Sequence, residues 1–199
     1  MFAEPKPLID YPWFLRPWLW WQRRRYGRVL ASARLWARSP RLFLGAEAIQ
    51  GATERRSSPI EPALRGLVGV RIGQINRCPF NIDLHAGQLQ RHGVGRDKLE
   101  ALEDWRESAA FTNRERVVLE YAEVVTRSDT PVTADVVGAV KRHLDEAELI
   151  ELAGLIAYQN LATKFSSALD VPPQGFYTMT ASEGGEAVVQ ARGEHGAED

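Results

Sequence analysis

Asn76-Arg77-Cys78-Pro79-Phe80-Asn81-Ile82-Asp83-Leu84-His85 holds the chain's single cysteine and, seven positions after it, a histidine. Proline directly after Cys78 marks the first turn of a helix, where its missing N–H costs nothing. Cys78 therefore falls at the helix N-cap, beside unpaired backbone N–H groups and the positive end of the dipole, which favour a thiolate. At 3.6 residues per turn, Cys78, Asn81 and His85 lie on one face. Two readings stand side by side. The stripe is either a reactive thiol with an imidazole to assist it, or a small buried hydrophobe beside a hydrogen-bonded histidine.

The motif helix runs from Pro79 to about His92, packed through Phe80, Ile82, Leu84 and Leu89. Its polar stripe continues through Gln88 to His92, which precedes Gly93 and suits a helix C-terminus. His85 and His92 lie about 10 Å apart along the axis, and no third ligand accompanies them, so no metal site is expected. Upstream, residues 63–76 carry apolar side chains at 64, 67, 68, 70, 72 and 75, the pattern of a buried helix. Gly66, Gly69 and Gly73, three and four apart along it, predict a close helix–helix approach. Downstream, a short helix is expected over 96–106. Thr112-Asn113-Arg114-Glu115 is a capping box opening a helix to about Arg127. Thr133 caps the next, to Leu144, and Asp145-Glu146-Ala147-Glu148 opens a last helix apolar on more than one face. No period-2 strand pattern of useful length occurs, so the fold class is all-α.

These pieces, in this order, resemble the AhpD-like / carboxymuconolactone decarboxylase family. The family signature Cys-x-x-Cys-x-x-x-His is matched by Cys78-Pro79-Phe80-Asn81-Ile82-Asp83-Leu84-His85. Leu67 to Asn76 is similar to the helix running into that motif. Trp105 to Ser108 with Phe111 to Arg116, and Glu148 to Asn160, resemble the family's later segments. The likeness covers residues 59–170. It implies a helical fold that is commonly oligomeric, and peroxidase chemistry by two cysteines, a glutamate and the histidine in a proton relay. Cys78 matches the first cysteine and His85 the histidine. Asn81 stands at the second cysteine and Gly66 at the glutamate, and neither side chain performs the role it replaces.

Residues 1–58 precede that core. Tyr11 to Trp21 contains Trp13, Trp18, Trp20 and Trp21, followed by Arg23-Arg24-Arg25. Prolines at 5, 7, 12 and 17 predict an extended, wrapping arm, packed on its own domain or on a neighbouring subunit in preference to a membrane surface. A helix is expected over 25–38, and Ser39-Pro40 starts another, to about Thr53. Residues 171–199 read as a disordered tail. Residues 1–60 hold 11 Lys/Arg against 4 Asp/Glu, and residues 61–199 hold 14 against 22. A basic arm and an acidic body attract one another, within a subunit or between subunits, and the homo-oligomer that the resemblance implies would form through the arm and core helices. An acidic body repels phosphate, so nucleic acid is not expected as a partner. One cysteine excludes an internal disulfide. No signal-peptide pattern and no apolar run of about 18 residues is present, which makes the cytoplasm the expected compartment.

Three functions fit. Cys78, assisted by His85, could act as a one-cysteine thiol-dependent peroxidase on a small-molecule substrate, without a cofactor. His85 could instead carry protons in a non-redox, decarboxylase-type reaction, with Asn81 and Arg71 binding substrate. The third is a catalytically silent oligomeric subunit.

Overall fold

Prolines open four of the helices among the described residues, because the first turn is where a missing N–H and a fixed φ are tolerated. The computed structural model describes residues 1–177. Its helices are α1 (Arg16–Tyr26), α2 (Ala31–Trp36), α3 (Pro40–Thr53), α4 (Pro62–Ile75), α5 (Pro79–Arg91), α6 (Arg96–Glu100), α7 (Asn113–Thr126), α8 (Ala134–Lys141) and α9 (Glu146–Ala168). No strand occurs among the described residues. The chain is all-α.

The first 26 residues depart from the expected extended arm. Single 3-10 turns at Leu8–Asp10 and Trp13–Leu15 are followed by α1, in which Pro17 lies in the first turn and initiates the helix. The helix expected over 25–38 is broken, because Gly27 takes φ 75 and ends α1 in the left-handed conformation. The helix expected over 96–106 stops at Glu100 and continues as turns. The Thr112–Glu115 capping box is present, and Asp145 with Glu148 forms a second one.

α4 is the central element and packs against α5, α7 and α9. Its glycines permit the approach anticipated for them. A Cβ at Gly66 would lie 2.6 Å from Leu89 Cδ2, and one at Gly69 would lie 2.7 Å from His85 Cγ. The arm packs on its own chain: Tyr11, Leu15 and Leu19 are buried in one cluster with Phe43, Cys78 and Phe80. Tyr11 Oη accepts from the backbone N–H of Lys6 (3.0 Å) and donates to the carbonyl of Arg34 (2.6 Å).

The first seven residues of the expected disordered tail are placed against α5. The buried Asp83 carboxylate accepts backbone N–H bonds from Gln174 (2.7 Å), Phe176 (2.8 Å) and Tyr177 (2.8 Å). The remainder of that tail, 178–199, lies outside the described residues. Among the described residues no helix is long and apolar enough to cross a membrane.

Candidate functional site

The α4–α5 junction builds the site. Arg77, with φ 50, takes the left-handed conformation that ends α4 and turns the chain into α5. Cys78 is then the N-cap of α5, as the sequence indicated. It is 0% exposed, inside the arm cluster, and its Sγ–H donates to Asn81 Oδ1 at 3.1 Å. That bond leaves the Asn81 amide N–H groups as donors.

His85, two turns along α5, is also buried, its ring lying over Gly69 of α4. Nε2 is 2.9 Å from Gln159 Oε1, and Nδ1 is 3.3 Å from Gln88 Oε1. Burial drives the imidazole's pKa below its ordinary value. The Glu54 charge and the two glutamine contacts oppose that shift without cancelling it. The ring is therefore neutral at pH 7, and the shorter contact assigns its proton to Nε2, bonded to Gln159. Nδ1 carries the lone pair. Turning the Gln88 amide brings its Nε2, buried without a partner, toward that lone pair. Protonation of the ring favours the opposite amide orientation.

His85 stands between two cavities. One, of about 40 Å³, is lined by Asn81, His85, Glu47, Glu54, Tyr158 and Gln159, among others. The other, of about 170 Å³, is lined by His85, Gly66 and Gln88 with Arg25, Arg65 and His92, among others. Glu47 lies beside the first cavity with its pKa raised to about 7, chiefly by burial and further by Glu54, against a lowering hydrogen bond from Gln22. Glu54 is paired with Arg25 at 2.5 Å. Burial also holds the Tyr158 phenol well above its usual pKa, so it is a neutral donor.

The structure thus brings Asn81 and His85 to one chamber and joins Cys78 to it through the Asn81 amide. Arg71 goes elsewhere. Its Nε donates to Glu123 Oε1 at 2.6 Å and its NH1 group to Gln74 Oε1 and the Glu103 carbonyl, on the α7 side of α4. The sequence reasoning missed Glu47, Glu54, Tyr158 and Gln159. Glu47 of α3 and Glu54 at its C-cap sit seven apart, a same-face spacing that carried the signal. Nothing local marks Gln159 and Tyr158, which α9 delivers from 74 residues beyond His85 in the case of Gln159. Gly66 does line the second cavity, but Leu89 fills the space that a side chain would enter. No cluster of three or more potential metal ligands occurs among the described residues.

The sequence model of the carboxymuconolactone decarboxylase family matches residues 40–124. YnjA of Escherichia coli K12 is 42% identical over 171 residues, covering 85% of this chain and 93% of that protein. The chain belongs to the carboxymuconolactone decarboxylase family. The match begins at α3, ahead of residue 59, and so takes in Glu47 and Glu54 as well as the α5 stripe. Two solved structures show the same AhpD-like fold. An alkylhydroperoxidase AhpD core protein from Ralstonia eutropha JMP134 superposes with a TM-score of 0.79 at 16% identity, covering 87% of this chain and 92% of that one. The debrominase Bmp8 in complex with 2,3,4-tribromopyrrole gives 0.77 at 17% identity, covering 88% and 93%. At those identities the likeness is one of fold.

Proposed function

We propose that the chain is an enzyme acting on small organic molecules by proton transfer at His85. The observation that carries this reading is a neutral, buried imidazole whose Nε2–H is held by Gln159 and whose ring rests on Gly69, at the wall between two cavities. A base must be unprotonated at the working pH and fixed in orientation, and these contacts support both conditions. With the Gln88 side chain displaced from it, Nδ1 takes a proton from carbon next to a substrate carbonyl, leaving an enolate and an imidazolium. The Asn81 amide N–H, its oxygen occupied by the Cys78 thiol, stabilises the enolate oxygen. The imidazolium returns the proton at a second carbon of the enolate, completing an isomerisation. Cys78 is a positioning residue here. Arg71, bonded to Glu123, binds no substrate in this scheme.

One observation favours a second reading: Cys78 is the N-cap residue of α5, at the positive end of the helix dipole. There the Cys78 thiolate attacks a hydroperoxide, the S–O bond forms, the O–O bond breaks, and alcohol and a sulfenic acid result. An external thiol condenses with the sulfenic acid and releases water. A second external thiol then exchanges with the mixed disulfide and frees Cys78. The names of the AhpD core protein and the debrominase support substrates of the peroxide or halogenated-ring type for those relatives, and this reading extends that chemistry here. We propose also that the chain works as a homo-oligomer.

Two assays separate the readings: proton–deuterium exchange into carbonyl compounds, followed by NMR in D₂O, and dithiol-dependent loss of cumene hydroperoxide. Under the first reading His85→Ala loses exchange, Cys78→Ser keeps most of it, and the acid limb of the rate profile falls below pH 6.5. Peroxide turnover abolished by Cys78→Ser, with no exchange in the parent protein, overturns it in favour of the second.

A further inference from the structure

α1 and α3 enclose a third cavity, an open cleft of about 470 Å³. That size falls within the roughly 300–1,000 Å³ of small-molecule sites. Trp18 and Trp21 of α1 face Glu47, Gln50 and Gly51 of α3, and Glu54 at its C-cap, across it. Each of the two tryptophans is 42% exposed, so indole surface is left for an occupant. Gly51 opens the opposite wall, since a Cβ there would meet nothing within 4 Å. A glycine inside a helix is less stable there than alanine, and at Gly51 no close packing among the described residues offsets that loss.

The charges narrow the occupant further. Of the guanidinium groups lining the cleft, Arg25 is paired with Glu54 at 2.5 Å and Arg55 with Glu151 at 2.6 Å. Among the described residues the Glu47 carboxyl has no such ion pair. Its hydrogen bond among the described residues is from Gln22 Nε2 to Oε1, at 2.8 Å, which leaves Oε2 as an acceptor. The cleft and the His85 chamber share Glu47, Gln50 and Glu54 as lining, so the two cavities meet along one side of α3.

We propose that this cleft binds a flat aromatic molecule bearing a hydroxyl or ring N–H group, stacked on Trp18 and Trp21 and donating to Glu47. Aromatic surface on two indoles supplies the affinity, and an otherwise unshared carboxyl oxygen selects the donor. Binding here is independent of the reaction at His85. A second copy of the chain laid over the tryptophans would require neither the donor nor the open wall at Gly51.

Isothermal titration calorimetry of the full chain tests this with 2-naphthol and with 2-methoxynaphthalene, the same ring system without the donor. The expected result is saturable binding of 2-naphthol and affinity for the methyl ether about tenfold weaker or less. Gly51→Phe fills the cleft and abolishes binding, and Trp21→Ala weakens it about tenfold. His85→Ala keeps it, which separates this site from the proposed proton transfer. Thermal unfolding checks that each variant folds, and either cleft variant that folds is decisive. Absence of 2-naphthol binding to the full chain overturns the proposal, as does equal binding by Gly51→Phe. Equal affinity for the methyl ether overturns the donor to Glu47. Self-association lost in Gly51→Phe, with no naphthol binding by the parent chain, assigns the cleft to a second copy instead.

Discussion

Glu47 is a carboxyl held partly out of water, with one amide donor and no paired cation among the described residues, and burial raises its pKa to about 7. The folded state therefore keeps a proton that the unfolded chain releases near pH 4.5. The native state is favoured by this group below that value, and loses the contribution as pH climbs from 4.5 to 7. At pH 8 the ionised carboxylate costs on the order of 3 kcal/mol. Glu47→Gln removes the charge and keeps an oxygen for Gln22, so it is expected to raise the melting temperature at pH 8 and leave it nearly unchanged at pH 4. Thermal scans at the two pH values check this, and a stabilisation independent of pH would refute it. His85 works with the opposite sign. Its lowered pKa makes the neutral ring the native form, and the stability it contributes is lost as pH falls below 6.5.

The α4–α7 contact is held by ions as well as by packing. Glu123, buried on α7, accepts from Arg71 Nε (2.6 Å), Trp105 Nε1 (2.8 Å) and Arg106 NH1 (2.9 Å). Burial pushes its pKa up. The bonds from Trp105 and Arg106, with the Arg71 charge, more than offset that and hold the carboxyl below its ordinary value. Replacing Glu123 by alanine strands the Arg71 guanidinium, whose side chain is 10% exposed, beside an indole N–H without its acceptor. The expected loss is about 3–5 kcal/mol, read as a fall in the denaturation midpoint. A loss under about 1 kcal/mol would mean that water replaces the carboxylate without difficulty. The same network explains why Arg71 is absent from the chamber. It lies two residues beyond Gly69, on a different face of α4, and the carboxylate that claims it comes from a helix 52 residues away.

Across the whole molecule, burial and exposure divide the arm. Tyr11, Leu15 and Leu19 enter the core, while Trp13 is 77% exposed and Trp20 59%. Exposed indoles next to Arg23 and Arg24 form a basic, aromatic surface, and the body from residue 61 onward carries the acidic excess. That complementarity supports assembly through the arm. Deleting residues 1–22 would uncover Phe80 and Cys78, so unfolding would mask any effect on assembly. Trp13→Lys with Trp20→Lys changes the exposed surface alone. Sedimentation velocity is expected to show smaller species for the double variant with an unchanged melting temperature. An unaltered distribution would remove the arm from the interface.

Much of this architecture is legible in the sequence, because its signals are local. Pro40 and Pro79 mark helix starts through their fixed φ, Thr112 and Glu115 cap each other within one turn, and Cys78, Asn81 and His85 share a face by periodicity alone. Where local signals compete, the reading fails: Pro17 initiates a helix that the proline spacing suggested it would prevent, and Gly27 ends one that the apolar pattern carried through. The chemistry of the site is different in kind. The neutrality of His85 comes from desolvation beneath α4, while Gln159 of α9 fixes the ring's orientation, and the proton on Glu47 comes from burial and the neighbouring Glu54 charge, against the Gln22 hydrogen bond. Arg71 was one reach from a substrate on paper and is bonded to Glu123 in space. Helix starts depend on neighbours in the chain, which the sequence contains. Burial and partner choice depend on neighbours across the fold, which only tertiary packing supplies.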